Sequence, residues 1–360
     1  MRPLSAQLEK TLADILELAE REGKKTGFCI GNTTKRIDHD HCFTPIRNTA
    51  LCVCGSVLID KVEVAEEIVR VLDGRVDYFF VDTEKKISPS LYGAHDVGNV
   101  ERAVREGAKR SRVLTFKGND LTVDAIDCFL AQLVLRDVQG IGGKKVAIVG
   151  AGNIGFKIAL KLLERGAHVF MVRRDREKLE LLTRTLNAVK PVGTLARVTG
   201  TTDVTEAMKD ADVVIGLTPG ARTLDGELVS LLKDGAALID AGKGSFSIDG
   251  IEEAERRGMA VYRTSITASF EGQVAMLLKM EGILERSLGR RTVEGIAIIA
   301  GSLLGRKGEI VVDDIEQPTQ IYGVADGCGD FNREPSEEER LAVEKLSRLL
   351  EAGKGALRRP

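Results

Sequence analysis

The sequence predicts an α/β protein with a doubly wound domain and a second α/β domain placed before it. Three observations carry this. Short apolar runs alternate with amphipathic segments from about residue 26 to residue 264. A glycine-rich turn at 150–155 joins one such run directly to a helical segment. A chain of 360 residues also exceeds what one compact core ordinarily holds.

The elements follow in order. Leu8, Leu12, Ile15, Leu16 and Ala19 recur at helical spacing, so residues 4–21 open as an amphipathic helix. "TGFCIGN" (26–32) and "TALCVCGSVL" (49–58) have strand composition. "DKVEVAEEIVRVL" (60–72) is helical, "VDYFFVDT" (76–83) is a third strand, and "NVERAVREGA" (99–108) leads into "RVLTFKGND" (112–120). The apolar segment 121–139 reads as one long helix connecting two domains. From Val146 six strand signals recur with helices between them: "VAIVGAG", "HVFMVRR", "ARVTG", "DVVIGLTPG", "AALIDAG" and "AVYRTS". That is the element count of a complete Rossmann domain. After Ser265 come a helix over 267–288, two short strands around Pro318, a charged helix near 336–351, and a frayed end, "GKGALRRP". The expected organisation is an N-terminal α/β substrate domain (1–123), a dinucleotide-binding domain (124–266), and a tail (267–360), too small for a third domain, that returns to the first. The role of 290–330 stays open.

Gly150, Gly152 and Gly155 form G-x-G-x-x-G between an apolar strand and a helix. Gly150 permits the tight turn, Gly152 admits a pyrophosphate against the backbone, and Gly155 lets helix and strand pack closely. The amides of Asn153 and Ile154 then face the anion at the helix N-terminus. At the end of the next strand, where Asp or Glu would bind a ribose 2′-hydroxyl, stand Arg173 and Arg174. Guanidinium grips a 2′-phosphate, so NADP is expected and NAD is second choice. The alternative, arginines that only cover the sheet edge, is kept open by Asp175. Thr218-Pro219 and Gly242, at later strand ends, offer small surfaces against which nicotinamide and its ribose can lie; Lys243 either reaches the cleft or is solvated.

In open α/β sheets ligands lie beyond the carboxyl ends of the strands. The N-terminal domain should supply the opposite wall there through Lys117, Asn119 and Asp120. These are a proton donor, an amide able to orient oxygen, and a carboxylate able to steer the lysine or act as base. The structural alternative makes Asp120 the N-cap of the 121–139 helix.

Lys and Arg number 52 and Asp and Glu 54, a net −2 without blocks of like charge. Neither a nucleic-acid surface nor an acidic tail is announced. No apolar run reaches membrane-spanning length and no signal-peptide pattern is present, so a cytoplasmic protein acting on a small molecule is expected, with no membrane partner. The six cysteines lack C-x-x-C spacing and read as buried hydrophobes. "DHDHC", with His39, His41 and Cys42, matches no standard zinc spacing; a polar turn between strands is its plain reading, and no metal is expected.

Taken together these residues resemble the amino-acid-dehydrogenase-like two-domain enzymes, shikimate dehydrogenases and methylene-tetrahydropterin dehydrogenases among them, over roughly residues 112–288. Asn119-Asp120, the three glycines, Arg173-Arg174, Thr218-Pro219 and Asp240 match those families' motifs. Gln273 looks like the glutamine of their domain-crossing helix, which implies a substrate contact. The serine pair and the Asn-x-Thr-x-Pro-x-Lys run of shikimate dehydrogenases are absent, so shikimate is not implied and Lys117 stands in for their lysine by position only. The expected activity is an NADP-dependent dehydrogenase or reductase acting on a small polar hydroxy/oxo acid or amine/imine, as a homodimer. Alternatives are a methylene-tetrahydropterin-type dehydrogenase, a lyase or cyclase with bound nicotinamide, and a non-enzymatic NADP(H) sensor. With 4% aromatic residues and no Trp, few surfaces exist for stacking a pterin.

Overall fold

The computed structural model describes residues 4–34, 37–87, 98–134 and 137–352. The chain divides into two compact units, Met1–Gln273 and Val274–Pro360.

The first unit holds two sheets. α1 (Leu4–Glu22) precedes β1 (Lys25–Asn32), β2 (His41–Asn48), β3 (Cys52–Ile59), α2 (Val62–Leu72), β4 (Tyr78–Asp82), α3 (Val100–Gly107) and β5 (Arg112–Phe116). The strands order as β2-β3-β1-β4-β5, all parallel except β2, which runs antiparallel on the edge. Central strands β1, β3 and β4 are buried almost throughout, as expected of parallel strands covered on both faces. α1 and α2 cover one face, with Leu8, Leu12, Ile15, Ile68 and Leu72 packed on Phe28, Ile30, Val53, Val57 and Phe79.

α4 (Gly118–Leu133) leads to the second sheet. Its elements are β6 (Lys145–Val149), α5 (Asn153–Glu164), β7 (His168–Val172), α6 (Arg176–Val189), β8 (Val198–Thr201), α7 (Val204–Met208), β9 (Val213–Gly216), α8 (Gly226–Ser230), β10 (Ala237–Asp240), α9 (Ile248–Arg256) and β11 (Val261–Arg263). The strand order β11-β10-β9-β6-β7-β8, all parallel, is the doubly wound dinucleotide-binding order, reversing between β6 and β9. Val123, Ile126 and Leu130 of α4 belong to this sheet's core, packed with Ile148, Ile158, Leu162 and Ile215. α10 (Thr267–Gly282) then returns to the first sheet, where Phe270 meets Phe80 and Phe116 edge-on.

The second unit has a sheet of its own. After a π-helical turn (Ile283–Ser287) come β12 (Arg290–Val293), β13 (Ile296–Ala300), β14 (Ile310–Val312), β15 (Ile321–Val324) and α11 (Glu337–Ala352). The strand order is β12-β13-β14-β15. Ile296, Ile298, Ile310, Val312, Ile315 and Leu346 form its core.

The α/β fold class agrees with the sequence reading, and three elements differ from it. β2 replaces the polar turn expected before residue 49: only Asp38–Asp40 form a turn, with His39 and Asp40 at positive φ. The connector helix begins at Gly118 and ends at Leu133 instead of spanning 121–139; residues 135 and 136 lie outside the described residues, as does the closing 353–360 expected to fray. The tail carries four strands, not two. Its β12–β13 hairpin, turning at Glu294 and Gly295, both at positive φ, follows short runs with too little alternation to signal strands. Among the described residues no helix is long and apolar enough to cross a membrane.

The α4–α5 packing carries a stability prediction. Ile126 is 1% exposed, so Ile126→Ala should destabilise the protein by about 2–4 kcal/mol through lost burial and a residual cavity, read as a lower urea midpoint by circular dichroism.

Candidate active site

The glycine turn lies at the carboxyl end of β6, beside the point where strand order reverses. Gly150 has φ +110°, and a Cβ there would sit 2.8 Å from the Leu217 carbonyl. At Gly155 a Cβ would sit 2.9 Å from the Gly150 oxygen, the close helix–strand approach that sequence spacing implied. At Gly152 it would meet nothing within 4 Å: the space above the turn is open. No side chain caps α5 at Gly152, so the first-turn amides, Asn153, Ile154 and Gly155, face that space and would meet an anion there. The residues present therefore fit a dinucleotide pyrophosphate.

Arg173, at the end of β7, folds back across this turn. Its Nη1 donates to the Ala151 carbonyl at 2.7 Å, while its buried Nε has no acceptor among the described residues. Asp175, the nearest carboxylate, N-caps α6 through the Lys178 amide (3.0 Å) and stands 3.8 Å from Arg173. Arg174 is exposed. Thr218 follows β9, its hydroxyl bonded to that of Thr223 (2.9 Å); Pro219 is exposed. At Gly242 a Cβ would crowd the Thr218 amide at 2.9 Å. Asp240 accepts from the Gly244 (2.7 Å) and Ser245 (3.3 Å) amides and thus shapes its own loop; Lys243 is exposed.

The opposite wall is built on the start of α4, and here the structure corrects the capping assignment. The N-cap position is Lys117, and Asp120 lies in the first turn. The helix amides are satisfied from β4 and the residues just after it: Asp82 Oδ1 accepts from Gly118 (3.0 Å) and Glu84 Oε2 from Asn119 (2.8 Å). Asp120 is left to pair with Lys117 (2.7 Å) and with Lys157 of α5 (2.5 Å). Burial pulls the Asp120 pKa up, but hydrogen bonds from Lys117 and Lys157 outweigh it and hold the carboxyl below its ordinary value. The same bond raises the pKa of Lys117. Both groups are thus charged at neutral pH: Lys117 is a donor and Asp120 the carboxylate that aims it. Asn119 Nδ2 donates to Asn153 Oδ1 (3.2 Å), tying this wall to the glycine turn.

Sequence reasoning passed over Asp82, Glu84, Lys86 and Lys157. Lys86 bonds both Asp82 and Glu84 at 2.8 Å, and Asp82 is 3% exposed. The available signal was an aspartate closing the apolar run "YFFV". Gln273 lies one helical turn beyond Phe270 and is half-buried; no hydrogen bond joins it to Lys117 or Asp120 among the described residues. His41 is engaged by the His39 carbonyl (2.7 Å) and Gln7 (3.4 Å), and Cys42 is exposed. Hollows of about 440 and 460 Å³ lie at the amino edges of the two sheets, away from this chemistry.

A family model described as NADP oxidoreductase, coenzyme F420-dependent, matches residues 145–243, from β6 to just past β10. The alanine dehydrogenase of Halomonas elongata is 29% identical over 116 residues, 31% of this chain and 30% of that enzyme; the chain thus matches less than a third of that relative's length. Among solved structures, L-tryptophan dehydrogenase from Nostoc punctiforme is 17% identical, with 72% of this chain and 75% of that one covered at a TM-score of 0.40. D-lactate dehydrogenase from Escherichia coli is 11% identical, with 72% of this chain and 96% of that one covered at a TM-score of 0.33. The doubly wound assignment rests on strand order, not on these likenesses.

Because the folded pKa of Asp120 is depressed, its contribution to stability is complete above the ordinary value of 3.8 and disappears as pH falls through the lower folded value. Asp120→Asn should therefore cost stability between pH 5 and 8 (about 1 kcal/mol), and the gap from wild type should close below about pH 4. Urea midpoints across that range check it; a gap that widens in acid contradicts the pairing.

Proposed function

We propose that this chain is an NADP-preferring oxidoreductase that moves hydride between nicotinamide and a small polar hydroxy/oxo acid or amine/imine. The observation that carries the cofactor choice is Arg173: a guanidinium with an unsatisfied buried Nε at the end of β7, beside a carboxylate already used as a helix cap. A 2′-phosphate supplies the acceptor this edge lacks, whereas Asp175 is poorly placed to accept from the 2′-hydroxyl of NAD. The description of the matching family model names NADP; it covers the nucleotide-binding part alone and does not bear on the second substrate.

Bound nicotinamide supplies the carbon that gives or takes hydride. The residues of this chain do the rest. The Gly152–Gly155 turn would hold the pyrophosphate, and Thr218 and Gly242 would offer a small surface to the nicotinamide end. Lys117, kept protonated by Asp120, donates a hydrogen bond to the substrate oxygen or nitrogen and stabilises the charge that grows there. Asp120 positions that lysine, Asn119 orients a substrate oxygen, and Gln273 is the proposed contact from α10.

Two measurements test this. Calorimetric titration should give NADPH a roughly 10- to 100-fold affinity advantage over NADH, at about 1.4 kcal/mol per decade, shrinking with salt and lost in Arg173→Asp; equal affinities in wild type refute the preference. Across a panel of oxo acids with and without ammonium, NADPH oxidation should be detectable. Lys117→Met should slow it about 10²-fold without weakening NADPH binding, and turnover near wild type would remove Lys117 from the chemistry.

A further inference from the structure

On the face of the first sheet that α10 crosses, a polar cluster interrupts apolar surroundings. Thr44 of β2, Ser56 of β3, Cys29 of β1 and Phe80 of β4 share one cross-strand row. Arg47 reaches back over it: Nη1 donates to Thr44 Oγ1 (3.1 Å) and Ser56 Oγ (2.9 Å), and the guanidinium lies 5.4 Å from the centre of the Phe270 ring. Ser56 is buried and Arg47 half-buried.

The cluster is rich in donors and poor in acceptors. A guanidinium carries five N–H groups. Those of Nη1 are committed, and the Nε–Nη2 edge has no acceptor among the described residues. The Thr44 and Ser56 hydroxyls share one hydrogen bond, which commits one of their two O–H groups and leaves the other seeking an acceptor. Several cations equally withdrawn from solvent have a carboxylate, Lys24 with Glu22, Lys86 with Asp82, Lys157 with Asp120 and Arg257 with Asp234, while Lys145 and Lys190 are met by backbone carbonyls instead. Arg47 pairs with no carboxylate among the described residues. Cys29 does not serve as its counter-ion, since burial pushes that thiol up to about 12. A half-buried charge without a partner is costly, and an oxyanion from outside the chain removes the cost.

We propose that Arg47, Thr44 and Ser56 hold a carboxylate of the substrate; that the ligand is the substrate rests on the oxidoreductase reading above. The free guanidinium edge matches two carboxylate oxygens side by side, and the remaining hydroxyl adds a third bond. One guanidinium balances a carboxylate but leaves a phosphate dianion half uncompensated. Ser56 stands on β3, three strands from β5, on the order of 14 Å at ~4.8 Å per strand. The acid group held here is therefore remote from the carbon that Lys117 addresses, and the substrate is an extended acid.

Hexanoate is the probe, titrated into the full chain without cofactor by calorimetry and ¹³C chemical shift. Wild type should bind it, and more tightly than inorganic phosphate. Arg47→Gln should weaken binding about tenfold or more, and Arg47→Lys, which keeps charge but loses the planar edge, about threefold. Thr44→Val, with the guanidinium intact, should weaken it severalfold, which keeps the test available if the Arg47 variants do not fold. No hexanoate binding by wild type, equal binding by Arg47→Gln, or preference for phosphate overturns the proposal. A parallel titration with NADPH and NADH separates the two readings: wild type that takes hexanoate but neither nucleotide supports this site and ends the oxidoreductase reading.

Discussion

The seam between α4 and α5 is the constraint on which the candidate site depends. Apolar side chains at Val123, Ile126 and Leu130 join α4 to the core under α5, and a ladder of charge sets the register. Lys157 faces Asp120, Lys161 faces Asp124 and Asp127, and Arg165 grips Asp127 through two parallel bonds of 2.7 and 2.9 Å. Exposed pairs of this kind contribute little each; burial supplies the energy, and the ladder decides which turn of one helix meets which turn of the other. The outcome is that two helix N-termini stand side by side. One offers free amides to an anion; the other has its amides occupied by Asp82 and Glu84 and presents Lys117 instead.

This arrangement explains how much of the protein is legible in the sequence. The second sheet is, nearly strand for strand, because parallel strands buried on both faces must be apolar runs and because a glycine motif punctuates them. β2 is not. "HCFTPIRN" contains a proline and lies half-exposed on an edge, where neither alternation nor a continuous apolar run is required. The start of α4 is illegible for a different reason. Its amides are satisfied from 35 and 36 residues away, so local capping rules point to Asp120 while the fold assigns that work to carboxylates at the end of β4. Arg47 shares this blindness: its isolation from carboxylates is a fact of three dimensions.

Charge around Lys117 is balanced, not accumulated. Lys86, Lys117 and Lys157 alternate in space with Asp82, Glu84 and Asp120, so no excess field draws a particular ligand to that wall. Arg47, over the first sheet, has no carboxylate partner among the described residues, and Arg173, over the second, has Asp175 at 3.8 Å; each has its guanidinium held in place by oxygen acceptors of the chain, two hydroxyls in one case and a carbonyl in the other.

Asp175 joins two duties in one side chain. Its carboxylate closes the first turn of α6 through Oδ1, which accepts from the Lys178 amide, and turns Oδ2 toward Arg173. Any substitution that removes the carboxylate therefore uncaps α6 and strips the counter-charge from Arg173 in one step. In this chain the stability of a surface helix and the charge at the end of β7 are bound to the same position and cannot change independently there.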